Sequence, residues 1–182
     1  MLGSDKSETT NFQAEYAERS DYCAVLEKNM ERLHLLAFLL TGNHKEAEQC
    51  FTLTVDNVFD EQVVFKEWTL AWVKRCLIKN AIQIVFPASA RIGRRDFWSA
   101  RQHETDKYGA IDAVTTLTPL DRFVFVMSVV ERHSNWECSI LLGCSLSKVV
   151  ETRLRALRRL PELGEISSGV GSPIARLQQV TA

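Results

Sequence analysis

A chain of 182 residues, 46% hydrophobic and 25% charged with a formal net charge of −1, has an ordinary soluble composition. It is long enough for one domain of typical size or two small ones. No segment reaches the roughly 18 uninterrupted apolar residues of a membrane span, and the polar start MLGSDKSETTNFQAEYAERSD has no apolar stretch of a secretory signal.

The charge is unevenly spread. Residues 1–31 carry seven acidic against three basic side chains, and residues 145–160 carry five basic against one acidic. A concentrated basic helix on a near-neutral chain is the footprint expected for phosphate or for an acidic partner. The first twenty residues read as a mobile arm or frayed helix. From about Asp21 to Leu40, Leu26, Met30, Leu33, Leu36, Ala37 and Leu40 recur at steps of three and four, which predicts an amphipathic helix. Gly42 and Asn43 tolerate a left-handed backbone and stop it. A second helix over about His44 to Phe59 follows at once, so the two should lie antiparallel. A third, about Val64 to Phe86, carries Phe65, Trp68, Trp72, Leu77, Ile78, Ala81, Ile82 and Val85 and should end at Pro87.

Residues 88–116 lack clear periodicity and read as an interdomain linker, in which Phe97 and Trp98 can dock on a neighbour, the commoner fate of linker aromatics, or stack on a base. Helices resume at Thr118-Pro119-Leu120-Asp121, where Thr118 caps, Pro119 suits the first turn and Asp121 should complete a capping box. The run FVFVMSVV (residues 123–130) has strong β-propensity, but its capped start and the units that follow decide for helix. Ser134 and Glu137 form a second capping box that opens a short helix to about Leu142. Gly143-Cys144 turns the chain. Ser145 can cap a last helix, expected to end before Pro161.

The expected fold is therefore all-α: a three-helix N-terminal bundle (21–87) and a C-terminal helix-turn-helix domain (117–161), joined by the linker 88–116, with the arm 1–20 and a tail 162–182. Cys23, Cys50, Cys76, Cys138 and Cys144 read as reduced thiols, mostly in apolar surroundings. A zinc site from His133, Cys138 and Cys144 lacks any C-x-x-C or H-x-x-x-H pair. No catalytic triad, metal cluster or phosphate-cradling glycine loop is present, so the chain reads as a binding protein, not an enzyme, with no cofactor.

The order helix, LLTGN, helix, FKEWTLAWVKRCLIKNAI, linker, then LTPLDRFVFVMSVVERHSNWECSILLGCSLSKVVETRLRALRRL resembles the extracytoplasmic-function (ECF) sigma factors of bacterial RNA polymerase, over about residues 25–160. The C-terminal part carries most of the resemblance, at Leu117, Leu120, Arg122, Glu131, Ser134, Glu137, Leu142, Gly143, Ser145, Val149, Arg155, Ala156 and Leu160 among others. The resemblance implies a bacterial cytoplasmic protein whose partners are core RNA polymerase and promoter DNA, with an anti-sigma factor as a further candidate. It implies that Glu46, Glu48, Gln49 and Asp56 face the polymerase clamp. On the last helix, Ser145, Ser147, Lys148, Thr152, Arg153, Arg155 and Arg159 become the DNA-binding candidates. On the third, Lys74, Arg75, Lys79 and Asn80 join them, because cations beside Trp68 and Trp72 suit single-stranded DNA.

The sequence also departs from the family. The helical arc puts Val149, Val150, Leu154, Leu157 and Leu160 on a core-facing stripe, and Arg153 falls inside it. Two registers against the family are open: one replaces a basic residue by Val150 and a core leucine by Arg153, the other replaces the basic residue by Glu151. The acidic and amide-bearing clamp face lapses after Gln49. A second expectation stands beside promoter binding: a sigma-like protein that keeps the fold but works through a protein partner.

Overall fold

The computed structural model describes residues 16–59, 64–87 and 110–165. The arm up to residue 15, most of the linker with Phe97 and Trp98, and the tail beyond residue 165 lie outside the described residues. Among the described residues the chain is all-α: α1 Arg19–Thr41, α2 His44–Asn57, α3 Thr69–Val85, α4 Ala110–Thr115, α5 Pro119–Phe125, α6 Asn135–Leu142 and α7 Leu146–Glu165. A single 3-10 turn, Lys66–Trp68, precedes α3. No described helix is long and apolar enough to cross a membrane.

The ends of these helices follow local chemistry. Gly42 closes α1 in the left-handed conformation, φ 82°, and its N–H donates to Phe38 O. Asn43 then caps α2, with its side-chain oxygen accepting from Glu46 N at 2.8 Å. Helices α1, α2 and α3 pack against one another, burying Leu33, Leu36, Leu40, Ala47, Cys50, Val73, Leu77 and Ile78. Each fully buried leucine or isoleucine contributes about 1.5–3 kcal/mol. Met30, on the apolar repeat of α1, is exposed instead. The stretch 16–18 is tied to the 3-10 turn: Ala17 N donates to Val64 O at 2.7 Å, and the Tyr16 ring stacks on Phe65 at 5.1 Å.

Helix α5 is the hub of the C-terminal half. Every residue from Leu120 to Val130 is buried, including the charged Asp121 and Arg122, and a run as apolar as residues 123–130 belongs inside a core. That enclosure overrides the β-propensity of FVFVMSVV. From Val126 to Val130 the helix widens, with Glu131 N bonding to Val126 O across five residues. Helix α4, within the expected linker, buries Ala113 and Val114 and packs on α7. Helix α7 continues through Pro161 to Glu165; the proline removes one backbone donor without turning the chain.

The halves meet through specific side chains. Arg122 is 1% exposed and donates to three backbone carbonyls. Nε reaches Leu40 O at 3.0 Å, Nη2 reaches Thr41 O at 2.7 Å, and Nη1 reaches Thr115 O at 3.3 Å. Two of these are the orphan carbonyls at the end of α1, so the guanidinium caps one half from the other. Burial lowers its pKa to about 10, against the favourable charge of Glu46. Close by on the same joint, Phe86 lies 5.2 Å from Phe123, and Lys74 Nζ lies 2.9 Å from Glu131 Oε2. One cluster of buried apolar residues runs through both halves.

Candidate nucleic-acid or partner interface

Helices α6 and α7 make the helix-turn-helix. Ser134 Oγ accepts from Glu137 N at 3.1 Å, and Glu137 Oε2 accepts from Ser134 N at 2.8 Å, closing the expected capping box. These bonds hold the Glu137 carboxyl below its ordinary pKa, the backbone donor of Ser134 having the largest effect. Gly143 turns the chain at φ 62°. Ser145 Oγ accepts from Lys148 N at 3.3 Å and caps α7.

The phase of α7 differs from the predicted arc. Its buried stripe is Val149, Thr152, Ala156 and Leu160. Val150 and Leu154, expected in the core, are 39% and 51% exposed, and Leu146 is 48% exposed. These three residues, four apart, form an apolar ridge on the outer side of the helix. The reason is size: α7 packs on α5, and Thr152 and Ala156 let the helices approach where larger side chains would hold them apart. Thr152 is thus a core residue, with no exposed surface to offer DNA.

The basic side chains of α7 are largely spoken for. Arg155 binds the carboxylate of Asp121 through two nitrogens, with Nε 2.9 Å from Oδ1, and Arg159 Nη1 lies 3.4 Å from Asp121 Oδ2. The Asp121 side chain is 1% exposed. It does not return to Thr118 to complete a capping box; Thr118 caps alone, accepting from Asp121 N at 3.4 Å. Hydrogen bonding to Asp121 raises the Arg155 pKa above its ordinary value. Glu151 takes Lys148 at 3.4 Å and Arg155 at 3.3 Å. Arg153 is half-buried on the side facing α6, where its Nη1 donates to Asn135 Oδ1 at 3.4 Å. Ser145 and Ser147 are exposed and bond to each other at 3.0 Å. Arg158, absent from the predicted set, is exposed.

Compared with family models, curated proteins and solved structures, the chain matches none.

The candidates on α3 divide in the same way. Asn80 is 5% exposed and donates to Thr54 Oγ1 at 3.1 Å, so it is a core amide and not a DNA contact. Lys74 is held by Glu131. Arg75 and Lys79 are exposed and share a face with Trp68 and Trp72, Lys79 Nζ standing 5.7 Å from the centre of the Trp72 ring. On α2, Glu48, Gln49 and Asp56 are exposed beside Leu53, whereas Glu46 is half-buried.

The thiols do not gather around a metal. Cys50 and Cys138 are fully buried, and burial pushes their pKa values up to about 12 and about 11. Among the described residues no group of three His, Cys, Asp or Glu side chains is placed to hold an ion. The residue that sequence reasoning misassigned most is Asp121. Its partners lie 34 and 38 positions away, so no local pattern could reveal them.

Proposed function

We propose that this chain is a sigma-like helical protein that acts in transcription through protein contacts of its helix-turn-helix, without reading promoter bases. One observation carries the reading: the outward side of α7 presents the apolar ridge Leu146, Val150 and Leu154 beside Glu151. A groove-reading helix needs free donors and acceptors for base edges and free cations for phosphates. Here Arg155 is held by a buried carboxylate, Lys148 by Glu151, and Thr152 faces the core. An apolar ridge with a polar rim is the composition of a protein contact surface.

A second reading, an ECF-like sigma factor that binds core polymerase and promoter DNA, is favoured by a different observation. Trp72, Arg75 and Lys79 stand on one face of α3, in line with Trp68 of the 3-10 turn before it, and Arg158 and Arg159 are exposed on α7. One pair of assays separates the two. The full chain is tested for retention of core RNA polymerase and for binding to a pool of promoter fragments across a salt series. The first reading expects polymerase, or another protein of the transcription machinery, to be retained, the retention to be lost in Val150→Glu with helical content unchanged, and no sequence preference in the pool. Selective promoter binding that falls steeply with salt and survives Val150→Glu would replace it with the second.

A further inference from the structure

Where the 3-10 turn and the first part of α3 face the start of α6 and His133 just before it, the surface opens into a cleft of about 420 Å³. Six of its lining residues bear on what it could hold: Phe65, Trp68, Trp72, Arg75, His133 and Glu137. Its volume lies within the range of small-molecule sites, about 300–1,000 Å³. Its chemistry is uneven in a useful way. Three aromatic rings make one wall: Phe65 meets the Trp68 ring edge-on at 5.4 Å, and Trp68 still leaves 57% of its surface exposed.

The polar groups are also available. Arg75 is exposed and forms no ion pair at contact distance among the described residues, though its charge reaches the Glu137 carboxylate and, after the Ser134 bonds, helps hold that group's pKa below its ordinary value. The bonds from Ser134 N and Ser134 Oγ both end on Glu137 Oε2, at 2.8 Å each, which leaves Oε1 open as an acceptor. His133 Nδ1 stands 3.9 Å from Glu137 Oε2. The cleft therefore offers a stacking wall, a guanidinium for an anion, and a carboxylate oxygen for an N–H or O–H donor.

We propose that this cleft binds a small planar aromatic acid, a one- or two-ring compound bearing a single carboxylate. Its ring lies against Trp68 and Trp72, and its carboxylate pairs with Arg75 in the bidentate manner that a planar guanidinium favours. Because one wall comes from the 3-10 turn and α3 and the other from His133 and Glu137 at the start of α6, an occupant contacts both halves of the molecule. Binding to the folded chain alone then raises its melting temperature by mass action. The site is separate from the α7 ridge and does not depend on how that ridge is used.

The test uses the full chain and 2-naphthoate as probe, with methyl 2-naphthoate, which is neutral and has no N–H to give Glu137, as its counterpart, in calorimetric and thermal-shift titrations. The expected result is saturable naphthoate binding that weakens at least tenfold in Arg75→Ala and in Trp68→Ala. Both side chains are exposed, so neither change should impair folding, which circular dichroism verifies. The methyl ester should bind at least tenfold more weakly than naphthoate and be indifferent to Arg75→Ala. No naphthoate binding at millimolar concentration, or binding equal in the wild type and both variants, overturns the proposal. So does displacement of naphthoate by micromolar single-stranded oligothymidylate, which would assign the rings to nucleic acid.

Discussion

Replacing Gly42 by alanine adds one methyl group at a position that fails it twice. At φ 82° the backbone is left-handed, which costs a residue with a β-carbon about 1–2 kcal/mol. The new methyl would also stand 2.6 Å from Arg122 Nη1 and 2.8 Å from its Cζ. That guanidinium is enclosed, so it can retreat only by giving up bonds to Leu40 O and Thr41 O. A hydrogen bond to a charged group contributes about 1.5–3 kcal/mol, so with the backbone cost of about 1–2 kcal/mol the total is about 2.5–5 kcal/mol if one bond is lost and about 4–8 kcal/mol if both are. Gly143 supplies the internal control. It is also left-handed, φ 62°, but an added methyl meets nothing within 4 Å, so Gly143→Ala should cost the backbone part alone, about 1–2 kcal/mol. Urea unfolding followed by circular dichroism measures both. In an Arg122→Met background the penalty of Gly42→Ala should fall to that of Gly143→Ala, because the two sites are coupled. Equal penalties for Gly42→Ala and Gly143→Ala in the wild-type background would refute the role given to Arg122.

Three further outcomes follow from the same contacts. Asp121→Asn should destabilise the fold by about 2–3 kcal/mol, below the usual penalty for breaking a buried pair because Arg155 and Arg159 can rehydrate; it should also steepen the salt dependence of any non-specific DNA binding, by up to about two counterions in a fluorescence-anisotropy titration. Ser134→Ala removes a cap that two bonds define and should cost about 1 kcal/mol in the same urea assay. With iodoacetamide at pH 8, Cys23 should label first by mass spectrometry. Cys50 and Cys138, whose thiols are buried and pushed up to about 12 and about 11, should react no faster than the protein opens; labelling of Cys50 at the pace of Cys23 would contradict the packing of α2 on α3.

What could be read from the chain in advance was what neighbours in sequence decide. Gly42, Asn43, Ser134, Glu137 and Gly143 act within four residues of themselves, so the end of α1, the start of α2 and the helix-turn-helix emerged from the sequence, whereas the start of α3, expected near Val64, and the end of α7, expected before Pro161, did not. The phase of α7 did not. That helix carries more apolar residues than its core stripe needs, and hydrophobicity alone favoured Val150 and Leu154 over Thr152 and Ala156. Close approach to α5 reverses the choice, and that distance is a property of two helices, not one. Asp121 fails for a related reason: a carboxylate at a helix start has a local use as a cap, and the competing arginines are more than thirty residues off. Asn80, read as a DNA contact from its place beside Lys79, is taken inward by Thr54 and Asn57 of α2.

The reach of Arg122 sets a timetable for the growing chain. Thr41 leaves the ribosome 81 residues ahead of the side chain that satisfies its carbonyl. At about 5–20 residues per second, the end of α1 spends roughly 4–16 s without that partner, dependent on water or on a chaperone. The first three helices are complete in sequence by then, yet the seam they share with α5 is still open. A nascent chain arrested before residue 122 should expose Leu40 and its neighbours to protease, and release past α5 should protect them in one step.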